Sequence, residues 1–248
     1  NLGLVLRRTA ENTADWRQVF DSETILDINF LSAQSYLFPL YRYPSSDKNH
    51  LFEKTPEQNK KVPNLNPELI KKLIVTYNTE ITPEQIFYYI YAVLYSNIYR
   101  EKYAEFLKID FPKVPFTYNY DCFIKMGALG KELVKLHLLS SKKLSNPISK
   151  FRGKGSGTVE KVKYNEQEKR IYINNDNYFD NVEKVVWEYQ IGGYQVCNKW
   201  LKDRKGRVLS LAETEQYCKI VTAIARTIEL QQAIDNLYQE AEKDVIKK

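Results

Sequence analysis

Residues Ile86–Phe116, IFYYIYAVLYSNIYREKYAEFLKIDFPKVPF, restrict the fold more than any other part of the chain. The four residues before the apolar run, Thr82-Pro83-Glu84-Gln85, predict a helix start. Thr82 caps the first turn, Pro83 sits where its missing N–H costs nothing, and Gln85 completes a capping box. Ile86, Tyr89, Ile90, Val93, Leu94 and Ile98 then recur at helical spacing, so one face must be buried. The spacing predicts a helix running to about Leu107, and Pro112 and Pro115 forbid any continuation. Tyr88, Tyr89, Tyr91 and Tyr95 are read as core residues with their hydroxyls at the rim. Arg100, Lys102 and Lys108 are read as a solvated charged face, with phosphate contact as the alternative.

The chain's 248 residues allow one large domain or two small ones. A chain of this size buries roughly 70–75% of its unfolded surface, so it needs no staples. A hydrophobic content of 43% and a charged content of 27% are those of an ordinary globular protein. The single Met126 and the Asn at position 1 suggest a piece of something longer. No apolar run approaches the roughly 18 residues of a membrane span, and no signal peptide opens the chain. Cys122, Cys197 and Cys218 are odd in number and widely spaced, so each is read as a small buried hydrophobe in a reducing cytoplasm.

The net charge of +6 says less than its distribution. Lys142–Lys163 carries seven basic residues against Glu160 alone, and Lys199–Arg207 carries five against Asp203 alone. Such clusters supply the salt-dependent phosphate attraction of nucleic-acid binders, with solvated surface as the plainer alternative.

Leu2–Arg8, Ile25–Leu31 and Tyr36–Tyr43 read as strands, the last demoted to an edge or a bend by Pro39. Ser45–Asn64 reads as a loop. Asn66 caps a helix to about Tyr77, and Asp121 caps another in which Leu129, Leu133 and Leu136 form a buried stripe. Near Lys142 the character changes. Phe151–Thr158, FRGKGSGT, is Gly-rich and basic. Val159–Tyr164 and Arg170–Ile173 read as a hairpin, and Val185–Ile191 as a further strand that Gly192-Gly193 breaks. Tyr194–Lys202 reads as a short helix. Ser210-Leu211-Ala212-Glu213 is a second capping box that opens a helix to roughly Glu242. This order gives an α+β class: mixed strands, a helical block, a β-hairpin segment and a long C-terminal helix. It divides into residues 1–141 and 142–248, or forms one compact domain with the last helix packed across both.

Several chemistries lack their residues. An adenine methyltransferase loop would need Asn or Asp before Pro-Pro-aromatic, and Asn146-Pro147-Ile148 is not that loop. Gly127-Ala-Leu-Gly130-Lys131 has the wrong spacing for a P-loop. Arg152–Gly157 resembles a phosphate cradle only loosely and reads as a turn into the hairpin. Asp203-x-Lys205 has nuclease-like spacing, with no partner acid on a preceding strand. His50 and His137 have no ligand-spaced cysteine, and His137 reads as a satisfied core histidine. Nothing suggests a Ser-His-Asp arrangement.

Leu37-Phe-Pro-Leu-Tyr41, the Ile86–Phe116 block, Leu129–Leu139 (LGKELVKLHLL), Val186–Arg207 (VWEYQIGGYQVCNKWLKDRKGR) and the helix with Tyr217, Ile220, Thr227 and Ile228 resemble, in order, the C-terminal specificity domain of type ISP restriction-modification enzymes. The resemblance spans most of residues 30–235. It implies a parent with a nuclease, an ATP-driven translocase, an adenine-N6 DNA methyltransferase and this target-recognition domain last. S-adenosylmethionine, ATP and Mg²⁺ would belong to those upstream parts, with no cofactor, metal or catalytic residue in this segment. The partners it implies are double-stranded DNA and the upstream methyltransferase domain.

Residue chemistry alone selects the candidate DNA contacts. Lys150, Arg152 and Lys154 lie in the Gly-rich loop, where glycine permits close backbone approach. Lys199, Lys202, Arg204, Lys205 and Arg207 form a second patch, and Arg7, Arg8 and Arg42 a third. The reading from a different class is a structural coupling module, whose Tyr-rich helices dock other domains of the parent.

Overall fold

The computed structural model describes residues 1–8, 16, 19–24, 35–43 and 61–246. The expected strand Ile25–Leu31 and most of the expected loop Ser45–Asn64 lie outside the described residues. Strand β1 (Gly3–Arg7) is flanked antiparallel by β2 (Val19–Ser22) and β3 (Ser35–Pro39). Among the described residues β3 is an edge strand, and Pro39 ends it there, where a missing N–H costs no ladder bond. The chain bends at Leu40 into β4 (Tyr41–Arg42), which pairs with β5 (Val62–Pro63), so the single strand expected over Tyr36–Tyr43 is two.

Helix α1 (Pro67–Tyr77) starts at Asn66, whose side chain accepts from Glu68 N. Helix α2 (Pro83–Tyr95) has the capping box read from Thr82 and Gln85. It does not run to Leu107. The chain breaks at Ser96, in extended backbone (φ −64°, ψ 126°), and resumes as α3 (Asn97–Lys102) and α4 (Ala104–Leu107). The cause is distant in sequence. Asp235 Oδ1 accepts from Ser96 Oγ and from Asn97 N, both at 2.8 Å, while Oδ2 accepts from Asn97 Nδ2 at 2.9 Å. Hydrophobic periodicity cannot register a carboxylate 138 residues away. Helix α5 (Tyr120–His137) is capped by Asn119 rather than Asp121, which lies in its first turn. Helices α2 and α5 pack along each other at Gly130, where a Cβ would lie 1.9 Å from Tyr88 O.

Tyr89, Tyr91 and Tyr95 are sealed in the core, and their hydroxyls are not at the rim. Tyr77, Tyr89 and Tyr99 donate to the carbonyls of Thr117 (2.6 Å), Pro115 (3.0 Å) and Lys113 (3.1 Å). These are alternate residues of one stretch between α4 and α5, and alternate carbonyls of extended chain face the same way. The Pro-rich segment that stops the helix is therefore the acceptor rail for three helices. Tyr95 donates to Val19 O at 2.9 Å, which ties α2 to β2. Burial raises all four phenols well above their ordinary range, so they stay protonated donors. Arg100 is likewise buried: its Nε donates to Leu94 O at 2.7 Å and its guanidinium lies 4.7 Å from the Tyr95 ring centre. Lys102 pairs with Glu242 and Lys108 with Glu105 at the surface, so these two are solvated as expected and only Arg100 departs from the charged face.

A polar chain crosses the interior beside Tyr91. Its hydroxyl oxygen lies 2.7 Å from both Asp21 Oδ1 and His137 Nδ1. His137 Nε2 lies 3.0 Å from Thr227 Oγ1, which donates to Ala223 O at 2.8 Å. The Thr227 hydrogen is thereby committed, so Nε2 carries the imidazole proton. Burial pushes Asp21 up to about 7 and His137 down to about 3, which keeps both groups neutral between those two values. His137 is the satisfied core histidine its sequence position suggested.

The later residues build a second core. Strands β6 (Phe151–Arg152), β7 (Lys163–Asn165), β8 (Arg170–Tyr172) and β9 (Tyr178–Phe179) form one antiparallel sheet in the order β6-β9-β8-β7. The expected hairpin is β7–β8, shorter than read. The strand expected at Val185–Ile191 is helix α6 (Lys184–Trp187) followed by β10 (Gln190–Ile191). Val186 and Tyr189, three apart, are buried while Val185 is exposed, so helical burial overrides β-branched propensity. Strand β10 turns through Gly192-Gly193 into β11 (Tyr194–Gln195) and helix α7 (Val196–Lys202). Helix α8 (Leu211–Ala241) begins with the expected capping box. Its 31 residues span about 46 Å. Tyr217, Val221 and Ile224 enter the core of Val159, Ile171, Phe179 and Leu201. Ile234, Tyr238 and Ala241 enter that of Tyr89, Phe123 and Met126. Between them Ala223 packs on Leu136 and Leu144. The architecture is α+β, as the order of elements predicts.

Candidate nucleic-acid interface

The Gly-rich segment leaves β6 and lies against the turn Asn174–Asn177. Gly153 has φ +116°, and a Cβ there would fall 2.1 Å from Asp176 O. Buried Asn177 accepts from Gly157 N at 3.2 Å and donates to Arg152 O at 3.4 Å, while Asn174 donates to Thr158 O at 2.9 Å. The glycines thus allow close approach of the protein's own β8–β9 turn. This replaces the expectation that they serve an approaching ligand.

The same segment then pairs with the other basic cluster. Val159 N donates to Arg207 O (2.9 Å), Gly206 N to Val159 O (2.8 Å) and Leu209 N to Gly157 O (3.1 Å). Thr158 and Val208 form an antiparallel bridge. Two clusters some 50 residues apart in sequence therefore share one backbone ladder. Around it Lys150 donates its backbone N–H to Asp180 Oδ1 (2.7 Å), and Arg152 Nε pairs with Asp180 Oδ2 (2.9 Å). Lys199 closes on Asp203 at 2.5 Å. The Arg204 guanidinium stacks 3.5 Å from the Trp200 ring centre, and its Nε reaches Glu213 Oε1 at 3.2 Å. Arg207 Nη2 meets the same Oε1 at 2.9 Å. Lys150, Lys154, Lys202 and Lys205 are exposed, and their ammonium groups form no ion pair among the described residues. Exposed pairs are worth about 0–1 kcal/mol, so a phosphate can displace Asp203 from Lys199 at little cost, whereas Glu213 is only 19% exposed.

The third patch is elsewhere, on the sheets of the first core. Arg7 is 6% exposed and is therefore corrected as a DNA contact in this fold. Arg8 pairs with Asp110 at 3.0 Å at the surface, and Arg42 is exposed on β4.

Residue chemistry alone overlooked the outer face of the four-stranded sheet. Arg152 faces Tyr178, Tyr178 faces Tyr172, and Tyr172 faces Lys163. Directly paired residues lie on the same side of a sheet, so these four form one cross-strand row: cation, ring, ring, cation. Arg170 joins it, 4.3 Å from the Tyr178 ring centre and 3.3 Å from the Tyr172 hydroxyl. The Tyr172 hydroxyl donates to Glu168. The inner face carries Phe151, Phe179, Ile171 and Tyr164. The signal was available in KYN, RIY and YF, whose alternation puts a charged, amide or hydroxylated residue outward at every second position.

Other chemistry can be bounded. Among the described residues no group of three or more His, Cys, Asp or Glu could hold a metal ion. Cys197 is buried and its thiol is pushed up to about 12, so it is not a nucleophile. Among the described residues no helix is long and apolar enough to cross a membrane.

Fold and surface together define a class: an α+β domain whose second core carries a face of cations and tyrosines beside a pair of basic loops. The chain belongs to the Type ISP C-terminal specificity domain family, whose sequence profile matches residues 1–233. Its fold is similar to part of the ATP-dependent Type ISP restriction-modification enzyme LlaBIII bound to DNA, with TM-score 0.70 and 21% identity over 94% of this chain and 16% of that one. A nuclease-deletion mutant of the Type ISP enzyme LlaGI, in complex with a DNA substrate mimic, gives TM-score 0.62 and 20% identity over 94% of this chain and 21% of that one. A DrdV–DNA complex gives 0.68 and 19% over 95% of this chain and 24% of that one. The chain thus spans between 16% and 24% of the length of these solved chains. No match was found among curated proteins.

Proposed function

We propose that this chain is the DNA target-recognition domain of a restriction-modification enzyme. It binds duplex DNA sequence-specifically and directs adenine-N6 methylation and cleavage by other domains of its parent. S-adenosylmethionine, ATP and Mg²⁺ belong in this reading to those domains, and the methyltransferase domain is the neighbour in the same polypeptide. The observation that carries it is the ladder joining Gly157–Val159 to Gly206–Leu209, which sets Lys150, Arg152, Lys154, Lys205 and Arg207 on neighbouring loops. The row Arg152, Tyr178, Tyr172 and Lys163 extends the same surface. Lysines and tyrosine hydroxyls suit phosphates, which position a duplex, while a few held arginines suit base edges. Membership of the family and the DNA in the three solved relatives agree with this reading.

Fluorescence anisotropy against duplexes at rising salt tests it. A log–log decline with a slope of about −0.9 per phosphate neutralised is expected. Affinity indifferent to salt would reject the reading. One observation favours the coupling role as a second reading. Phe106 and Ile109 are 70% and 71% exposed, and Phe38 stands beside Phe111, so an apolar surface faces outward from the helical half. Truncating the parent before this domain separates the two. Lost site choice with retained S-adenosylmethionine binding supports recognition, and collapse of the whole enzyme supports coupling.

A further inference from the structure

Resting on the duplex-binding reading, we propose that Arg207 reads a guanine in the major groove and that Glu213 is the residue that positions it. The cations of the interface differ in how they are held. Arg204 is flattened on Trp200 with its side chain only 22% exposed. Arg152 and Lys199 are each closed on one carboxylate. Lys150, Lys154, Lys202 and Lys205 reach into solvent without an ion pair among the described residues.

Of the paired arginines at this interface, Arg207 is the most exposed, and it is still restrained. Its side chain is 60% exposed, yet Nη2 is fixed on Glu213 Oε1 at 2.9 Å. Its backbone is fixed on both sides, the N–H on Arg204 O (3.0 Å) and the carbonyl by Val159 N (2.9 Å). Glu213 is itself held on several sides. Oε2 accepts from Ser210 N (3.0 Å) and Ser210 Oγ (3.2 Å), and Oε1 also accepts from Arg204 Nε. The Ser210 backbone bond, first among its contacts, and both arginines hold its carboxyl below the usual range, so it stays ionised.

This arrangement suits a base edge better than a phosphate. A phosphate asks for net positive charge, and the carboxylate beside Arg207 subtracts from it. Guanine asks for two parallel N–H groups aimed at N7 and O6. A carboxylate that takes one of the five guanidinium hydrogens leaves four and fixes the plane they lie in. An unrestrained arginine would lose its rotamer freedom on binding, and Glu213 removes that loss in advance.

Selection from randomised duplexes with the 248-residue chain tests the assignment, with wild type, Arg207→Ala and Glu213→Gln in parallel. Wild type is expected to return a motif. Arg207→Ala should return the same motif with one G·C position degenerate and the rest intact. Affinity for the wild-type site should fall about 10- to 100-fold, with an unchanged salt slope. Glu213→Gln keeps a residue that completes a capping box, so its melting temperature should hold while the same position partly loses preference. A purely structural role for Glu213 would not single out one base pair. Two results overturn the proposal: an unchanged Arg207→Ala motif, or weakening that is uniform across sequences with the salt slope reduced by about one, which marks a phosphate contact. A wild-type selection without any motif overturns the duplex-recognition reading, and this assignment with it.

Discussion

Two sets of tyrosines, one in each half of the molecule, do opposite work. In the helical half Tyr77, Tyr89 and Tyr99 are buried and turn their hydroxyls onto alternate carbonyls of Lys113–Thr117. In the β half Tyr172 and Tyr178 lie on an outer sheet face among Arg152, Arg170 and Lys163. The cations follow the same division. Arg100 is sealed inside the first half, whereas Lys150, Lys154 and Lys205 project from the second. The first set spends its hydroxyls on the protein's own backbone and the outer row leaves its polar groups facing outward, while Tyr164 and Tyr217 of the β half also turn onto carbonyls, those of Val182 and Cys197. Composition cannot tell these uses apart.

The largest test of that contrast falls on the helical half. Asp235→Ala removes the acceptor that holds the α2–α3 break and should lower the unfolding free energy by about 3 kcal/mol. Urea titration measures it, and folded Asp235→Ala protein should keep its duplex affinity. Gly130→Ala should cost about 2 kcal/mol, because a carbonyl of α2 occupies the space of the new methyl. A change below experimental error would show that α2 and α5 can part without loss.

The buried Asp21–His137 chain gives a pH signature. Folding raises Asp21 from 3.8 to about 7, so this contribution falls as pH rises through that window. Folding lowers His137 from 6.5 to about 3, so its contribution grows as pH rises through its own window. Where the windows overlap the two slopes oppose, and wild-type stability should be nearly flat. Asp21→Asn removes the falling slope, so stability should then climb by about 1.4 kcal/mol per pH unit across the overlap. Urea titrations through that range decide it, and an equally flat mutant profile would contradict the neutral arrangement.

The smallest effects make the sharpest comparison. Tyr89→Phe should cost about 1 kcal/mol of stability and leave DNA binding unchanged. Tyr178→Ala should stay within about 0.5 kcal/mol in stability. It should weaken duplex binding about fivefold, by exposing Arg170 without its ring. If both variants behaved alike in both assays, the division between the halves would be lost.

Local chemistry was legible wherever a device is written in adjacent residues. The Thr82–Gln85 and Ser210–Glu213 boxes, the Asn66 cap and, among the described residues, the edge position of Pro39 appear where the sequence puts them. The α+β class follows from their order. The break at Ser96 did not show, because its cause is Asp235 on a helix far along the chain. The helical turn at Lys184–Trp187 did not show either, since packing of Val186 and Tyr189 outweighs the preference of valine for strands. The two basic clusters could be named from composition. Their union could not, since it depends on Val159 meeting Arg207 and Gly206. The sequence by itself determined caps, turns and which residues carry charge, since these depend on neighbours within a few positions. Only the tertiary structure decided which tyrosines are sealed, which arginines are held and which loops lie side by side. Those outcomes are set by contacts across a hundred residues or more in some cases, which no local pattern encodes.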